Sequence, residues 1–281
     1  MLALVFALAV LNNNSSLRHP SRTVINGQLD HALNNALNWV KDHPEDAETN
    51  APLMYMVADM ESMSHDPRLR AVLDDYQKNY LSHPLTLFDF VWYRLVIRNA
   101  NVPVIQVPDL HGRMNEIAWD AYALAPDKIS LAAADRAAMF SPTKYIWGAR
   151  QHQLLALDIY RDYNGASPEV DSALNYIAEK VARDQRYDFR VTDSYVQRVA
   201  FVLGAGRPDL IRSRWVDRIL DNQNADGSWS YCWYGWCRGV FDFGTTYRTE
   251  ASLSGHTTVQ AAWALTMLKY RYPQWIDEHY H

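Results

Sequence analysis

His256 heads the apolar run Gly255-His-Thr-Thr-Val-Gln-Ala-Ala-Trp-Ala-Leu265, and the spacing predicts a helix over residues 257–270. At a helix start the peptide dipoles disfavour an imidazolium, so a neutral ring suited to act as base or metal ligand is expected there. Tyr247, Arg248 and Glu250 lie within ten residues upstream. They offer a phenolic acid, an anion binder and a carboxylate. With His256 as base, such a quartet suits proton abstraction beside a sugar carboxylate, or glycosidic cleavage. The competing reading is a solvated turn before a hydrogen-bonded cap residue. Upstream, Arg150 and His152 fall on one predicted inner helix and read as binders of anions or hydroxyls, with a hydrogen-bonded core histidine as the alternative for His152. His111-Gly-Arg113, followed by Asn115 and Glu116, opens another helix and either borders the same site or only caps that helix.

Between Trp229 and Tyr247 the chain places eight aromatic residues in nineteen, where its 12% aromatic average predicts between two and three. Glycines 235, 239 and 244 break any helix there. A ring-rich loop is expected, with Trp233 and Trp236 as stacking surfaces for sugar faces or an isoprenoid chain and Asp242 among the binding residues. The alternative is a local mini-core plugging one end of the fold. Cys232 and Cys237 allow a disulfide, two buried thiols, or zinc ligation with His256 and Asp242. The expectation is no metal and no cofactor, with zinc as the alternative.

Positioning these groups is the task of helices. Charged residues make up 21% of the 281 and apolar ones 48%, so a folded core is affordable in length and composition. Glycine (11) and proline (12) are too few for a turn-rich all-β protein. A net charge of −5 with no like-charge block argues against a nucleic-acid partner. Leu29, Leu33, Leu37 and Val40 form one helical stripe, and Leu69, Val72, Leu73, Tyr76 and Tyr80 another, opened by Asp66 as N-cap and Pro67. Helices over 168–182, 193–203 and 208–221 follow. Residues 88–97 are apolar nearly all round and, with 195–203 and 257–268, read as inner; 69–81 and 211–220 read as outer. The expected class is all-α, with roughly eleven helices. Val102 to Pro108 is the best strand candidate, and its prolines restrict it to a loop or an edge.

Ala36-Leu-Asn-Trp-Val40 returns as Ala173-Leu-Asn-Tyr-Ile177, and Asp66-Pro-Arg-Leu69 as Arg207-Pro-Asp-Leu210. Repeated helical hairpins bury their faces by stacking side by side, in an open solenoid or a closed ring. At the amino end, Leu2 to Leu11 is too short to cross a membrane. It has the size of a secretory h-region, with Ala7-Leu-Ala9 resembling a cleavage pattern. Export to the periplasm or medium is therefore expected. The alternative is a cytoplasmic protein with an apolar tail packed on its body. Asn12 to Ser16 reads as a linker, residues 1–21 as a signal-like or disordered segment, and 22–281 as one domain. Membrane contact is expected only through residues 2–11.

Gln223-x-x-x-Gly227-x-Trp229 has the form of the repeat of squalene–hopene and oxidosqualene cyclases. The chain over 208–272 resembles this superfamily, which includes protein prenyltransferase β-subunits and the complement thioester domain. The resemblance implies an α/α-toroid, with the Gln tying a helix end, the Gly turning and the Trp packing back. It carries no catalytic signature: the cyclases' Asp-x-Asp-Asp cluster is absent, and so is the Asp-x-Cys pair that binds zinc in prenyltransferases, although His256 is similar to their zinc histidine. Toroids also serve polysaccharide lyases, glycoside hydrolases and sugar epimerases. The leading expectation is thus a carbohydrate-active enzyme. An isoprenoid cyclase or prenyltransferase-like enzyme, with a dry aromatic pocket, is the first alternative. The second is a non-catalytic scaffold that binds glycan or peptide.

Overall fold

The computed structural model describes residues 2–15, 20–48, 50–84, 88–113, 115–141, 149–230 and 254–280. It is 73% helical. The α-helices are α1 (Leu2–Asn13), α2 (Arg22–Asp42), α3 (Glu45–Glu48), α4 (Ala51–Ser64), α5 (Pro67–Asp75), α6 (Asp89–Val96), α7 (Glu116–Leu124), α8 (Ala133–Phe140), α9 (Ala149–Asn164), α10 (Pro168–Tyr187), α11 (Asp193–Gly204), α12 (Ser213–Asp221), α13 (Ser254–Thr266) and α14 (Pro273–His279). Single π-helical turns, Tyr76–Leu81 and Met267–Arg271, prolong α5 and α13. Fourteen helices among the described residues exceed the eleven expected from periodicity. The four-residue α3 and seven-residue α14 are too brief to show a period.

Local signals set the helix starts. Asp66 accepts from the Arg68 amide ahead of Pro67, and Ser167 caps α10 ahead of Pro168. Two expected elements differ. Residues 208–221 are not one helix: Pro208–Leu210 is a 3-10 turn, and α12 begins only at Ser213. Residues 88–97 are not buried all round. In α6 the buried set is Asp89, Val91, Trp92 and Leu95, on the side that packs against α4, α7 and the 76–81 turn, while Phe90 and Ile97 are exposed. The 102–108 segment is an edge: Ile105–Gln106 (β1) pairs in parallel with Ile129–Ser130 (β2).

Five helices run parallel, as contacts at both ends require. Near their starts, Gln151 of α9 donates to the Ser194 carbonyl of α11. Near their ends, Arg161 of α9 donates to the Gly204 carbonyl of α11. Helix α7 joins α9 through Glu116 and His152 at the start and through Ala123 and Asn164 at the end. Asp193 of α11 meets His256 of α13, and Tyr272, just past α13, donates to the Leu203 carbonyl at the end of α11. Helix α13 also packs on α4: at its start Gly255 lies against Asp46, just ahead of α4, and near its end Trp263 donates to Asp59. In α11 and α13 nearly every residue is buried, whereas α10 buries one stripe, Val170 through Gln185. Trp119, Trp215, Trp229 and Trp263 are fully buried. At Gly204 an added Cβ would lie 2.6 Å from the Trp263 ring, so glycine is what lets α11 and α13 approach.

The repeated segments share a physical contact. Arg68 donates to Asn38 in Ala36–Val40 and pairs with Asp66. Arg207 donates to Asn175 in Ala173–Ile177 and pairs with Asp209. Asp-Pro-Arg and Arg-Pro-Asp are thus the same ion pair with its signs exchanged across the proline.

In Gln223-x-x-x-Gly227-x-Trp229, the Gln223 amide donates to the carbonyls of Ala32 in α2 and of Gly227. Gly227 has φ +93°, and a Cβ there would meet the Asn35 carbonyl oxygen at 2.5 Å. Trp229 donates from its indole to the Ile219 carbonyl, and its amide donates to Thr258. At the amino end, Asn13 does not lie in a linker. Its buried side chain donates to the Gln185 carbonyl and accepts from Tyr195 and Arg218.

Candidate functional site

Four of the parallel helices start with a polar residue turned toward a neighbour. Asn115 caps α7 by accepting from the Ala118 amide, which makes Glu116 the first helical residue. Thr192 caps α11 in the same way and places Asp193 first. His152 lies in the first turn of α9, and His256 in the first turn of α13. Parallel packing then brings acid to base. The His256 Nδ1 lies 2.6 Å from Asp193 Oδ1, which also accepts from the Thr257 hydroxyl at 3.1 Å. The His152 Nδ1 lies 2.9 Å from Glu116 Oε2. Asp193 is almost sealed, with 2% of its side chain exposed, while 27% of the His256 side chain reaches solvent. Gln260, one turn along α13, sets its amide 3.3 Å from each ring nitrogen of His256. The His152 ring stands edge-on to Phe201.

The electrostatics correct one expectation. Burial alone pulls His256 toward neutrality, as does a helix start. The Asp193 hydrogen bond, the Asp193 charge and the Glu116 charge together outweigh it and hold the imidazole above its ordinary value. The ring is therefore biased toward the imidazolium rather than the neutral form. Glu116 is held below the usual carboxylate range by the His152 imidazole 2.9 Å away, against burial, with His256 adding to the effect. The two pairs thus sense each other's charge. Asp120, one turn further along α7, is 2% exposed, and neither of its carboxylate oxygens has a hydrogen-bond partner. Burial, and then the Glu116 charge, drive it well above its ordinary value, which keeps it a neutral acid.

Of the residues the sequence singled out, His256 and His152 share this site, and Glu116, read as either bordering the site or capping its helix, joins them. Arg150 does not: its guanidinium is 3.1 Å from Asp184 on α10. His111 is exposed and beside Asp109, in a left-handed turn. Trp233, Trp236, Asp242, Tyr247, Arg248, Glu250, Cys232 and Cys237 lie outside the described residues, and with them the disulfide, thiol and zinc readings. Among the described residues no three His, Cys, Asp or Glu side chains converge as metal ligands. Sequence reasoning missed Asp193, Asp120 and Gln260 as site residues. The signal for Asp193 was present: Thr192-Asp193 and Asn115-Glu116 are both a cap residue followed by an acid at the head of a buried helix. Compared with known proteins, the chain matches no family model, no curated protein and no solved structure.

Proposed function

We propose that the protein is an acid–base enzyme acting on a carbohydrate or related polymer, by lyase, hydrolase or epimerase chemistry. In this reading the parallel helices are the inner wall of an α/α-toroid. The catalytic groups stand at the rim where those helices begin. The toroid is supported by the succession of neighbours α7, α9, α11, α13 and α4, each packed on the next. The single observation that carries the chemistry is the pairing of Asp193 with His256 beside Glu116 with His152, the Glu116 charge reaching both rings.

His256 takes the proton in its neutral form and returns it from the imidazolium that Asp193 favours. Asp193 orients its ring and offsets the charge that forms, as a buried carboxylate does for an imidazole in acyl transfer. His152, held by Glu116, binds a substrate hydroxyl or carboxylate. Tyr247 serves as acid, Glu250 and Arg248 complete the site, and Trp233, Trp236 and Asp242 bind the sugar. An isoprenoid-handling site calls for a dry aromatic pocket. Two imidazole–carboxylate pairs at the rim speak against it, because such pairs are costly in an apolar hollow. The proposal is tested by screening neutral and uronic-acid polysaccharides for new reducing ends or unsaturated products, with wild type and His256→Ala. Turnover by wild type that is lost in the variant supports the reading. Tight glycan binding without turnover by either would favour a scaffold.

A further inference from the structure

Helix α1 carries no polar side chain from Leu2 to Leu11. Its Leu4, Ala7, Leu8 and Leu11 are exposed, a continuous stripe at helical spacing. An exposed apolar stripe of this kind has an occupant in the working state. The foot of the helix indicates its chemistry. Asn13 locks α1 to the body through Gln185, Tyr195 and Arg218. Next to it, Asn14 donates to the Arg186 carbonyl and its own carbonyl accepts from Arg212. Arg186 and Arg212 lie near enough for the Arg186 charge to add to burial in depressing the Arg212 pKa. Among the described residues neither meets a carboxylate at ion-pair distance. Arg183, one turn earlier on α10, and Tyr187, 63% exposed, flank them.

A cleft of about 1180 Å³ runs between α1 and α12, with Leu8 and Leu11 on one side and Arg212 on the other. Its two acids are already engaged: Asp221 lies near Arg214, and Asp217 accepts from Tyr280. An apolar helix with arginines and a tyrosine at its base is the arrangement that suits a lipid interface, where the rings and guanidiniums sit at headgroup level. A second copy of this chain would bring more of the same uncompensated positive charge to the stripe.

We propose that α1 and the arginines at its foot form a docking surface for an anionic phospholipid membrane, the Leu4–Leu11 stripe entering the acyl boundary while Arg186 and Arg212 meet headgroup phosphates. The contact is peripheral, since no helix among the described residues is long and apolar enough to span a bilayer.

The test is flotation of the full chain with vesicles of phosphatidylcholine alone and of phosphatidylcholine mixed with phosphatidylserine. Wild type floats with the anionic vesicles and far less with the neutral ones. Arg186→Gln with Arg212→Gln weakens the anionic binding roughly thirtyfold. Leu4→Asp with Leu8→Asp reduces it to background, with an unchanged melting temperature. Failure to float with either vesicle overturns the proposal, and so does binding indifferent to both pairs of substitutions. Release by inorganic phosphate beyond a sodium chloride control of equal ionic strength would make the arginines a free-anion site instead. Concentration-dependent association without vesicles, abolished by Leu4→Asp with Leu8→Asp, would assign the stripe to a second copy.

Discussion

The two ends of the parallel helices are both charged, and they hold their charge by opposite chemistry. At the starts, imidazoles face carboxylates: His256 with Asp193, His152 with Glu116. Toward the ends, guanidiniums face carboxylates. Arg271 pairs with Asp59, Arg161 with Asp158, and Arg98 with Asp162. Burial pushes the Asp158 carboxyl up to about 7, with Arg161 pulling the other way. A guanidinium keeps its proton at any physiological pH, while an imidazole gives and takes one near neutrality. The far end therefore suits cohesion, tying α4, α9, α11 and α13 together. The near end suits proton transfer.

Substitution can break this contrast. The largest expected effect is on turnover: His256→Ala lowers kcat by about 10²- to 10⁴-fold, while Arg161→Met leaves kcat within a few-fold, measured by steady-state kinetics on a substrate that wild type converts. Equal losses in both variants would erase the distinction between the ends. Stability should respond the other way. Arg161→Met leaves the buried Asp158 with the Tyr55 hydroxyl, removes its ion-pair partner and the bonds to the Gly204 and Ala205 carbonyls, and costs about 3–5 kcal/mol in urea unfolding, well above the cost of His256→Ala. Gly227→Ala, between the two in effect, should lose about 2–3 kcal/mol, because its Cβ has no room beside the Asn35 carbonyl.

Asp120→Asn sharpens the comparison at the near end. The folded carboxyl holds its proton to higher pH than the unfolded one, so wild-type stability falls as pH rises above about 4. The variant lacks that loss. It should melt higher than wild type at neutral pH, by about 1 kcal/mol, and the gain should vanish below the ordinary carboxylate range. The smallest effect is that of the Asp193–His256 pair on the fold. A raised folded pKa stabilises fully below the unfolded value of about 6.5 and is lost as pH rises through the folded one. The gap between wild type and His256→Gln, followed by thermal melts against pH, should close in that direction.

Much of the helical framework is legible one segment at a time. Asp66-Pro67 and Ser167-Pro168 mark helix starts because a cap and a fixed φ act within one turn. The Leu69–Tyr76 stripe is buried as its period requires. Gln223, Gly227 and Trp229 do what their types suggest, since each satisfies or relieves a nearby backbone group. The exchange of Asp and Arg around Pro67 and Pro208 hides a shared contact from residue-by-residue comparison, because an ion pair is indifferent to which side supplies the charge.

What the sequence by itself determined is the class of structure and the bases in it: a helical chain, with His152 on an inner helix and His256 at a helix start. These follow from periodicity and capping, which act over a few residues. The partners were decided by tertiary structure alone. Asp193 lies 63 residues from His256, and only the side-by-side course of α11 and α13 closes that distance to 2.6 Å. The direction of the His256 shift was settled there too, because burial, a neighbouring acid and a second acid across the rim compete, and their balance depends on distances that no local pattern contains.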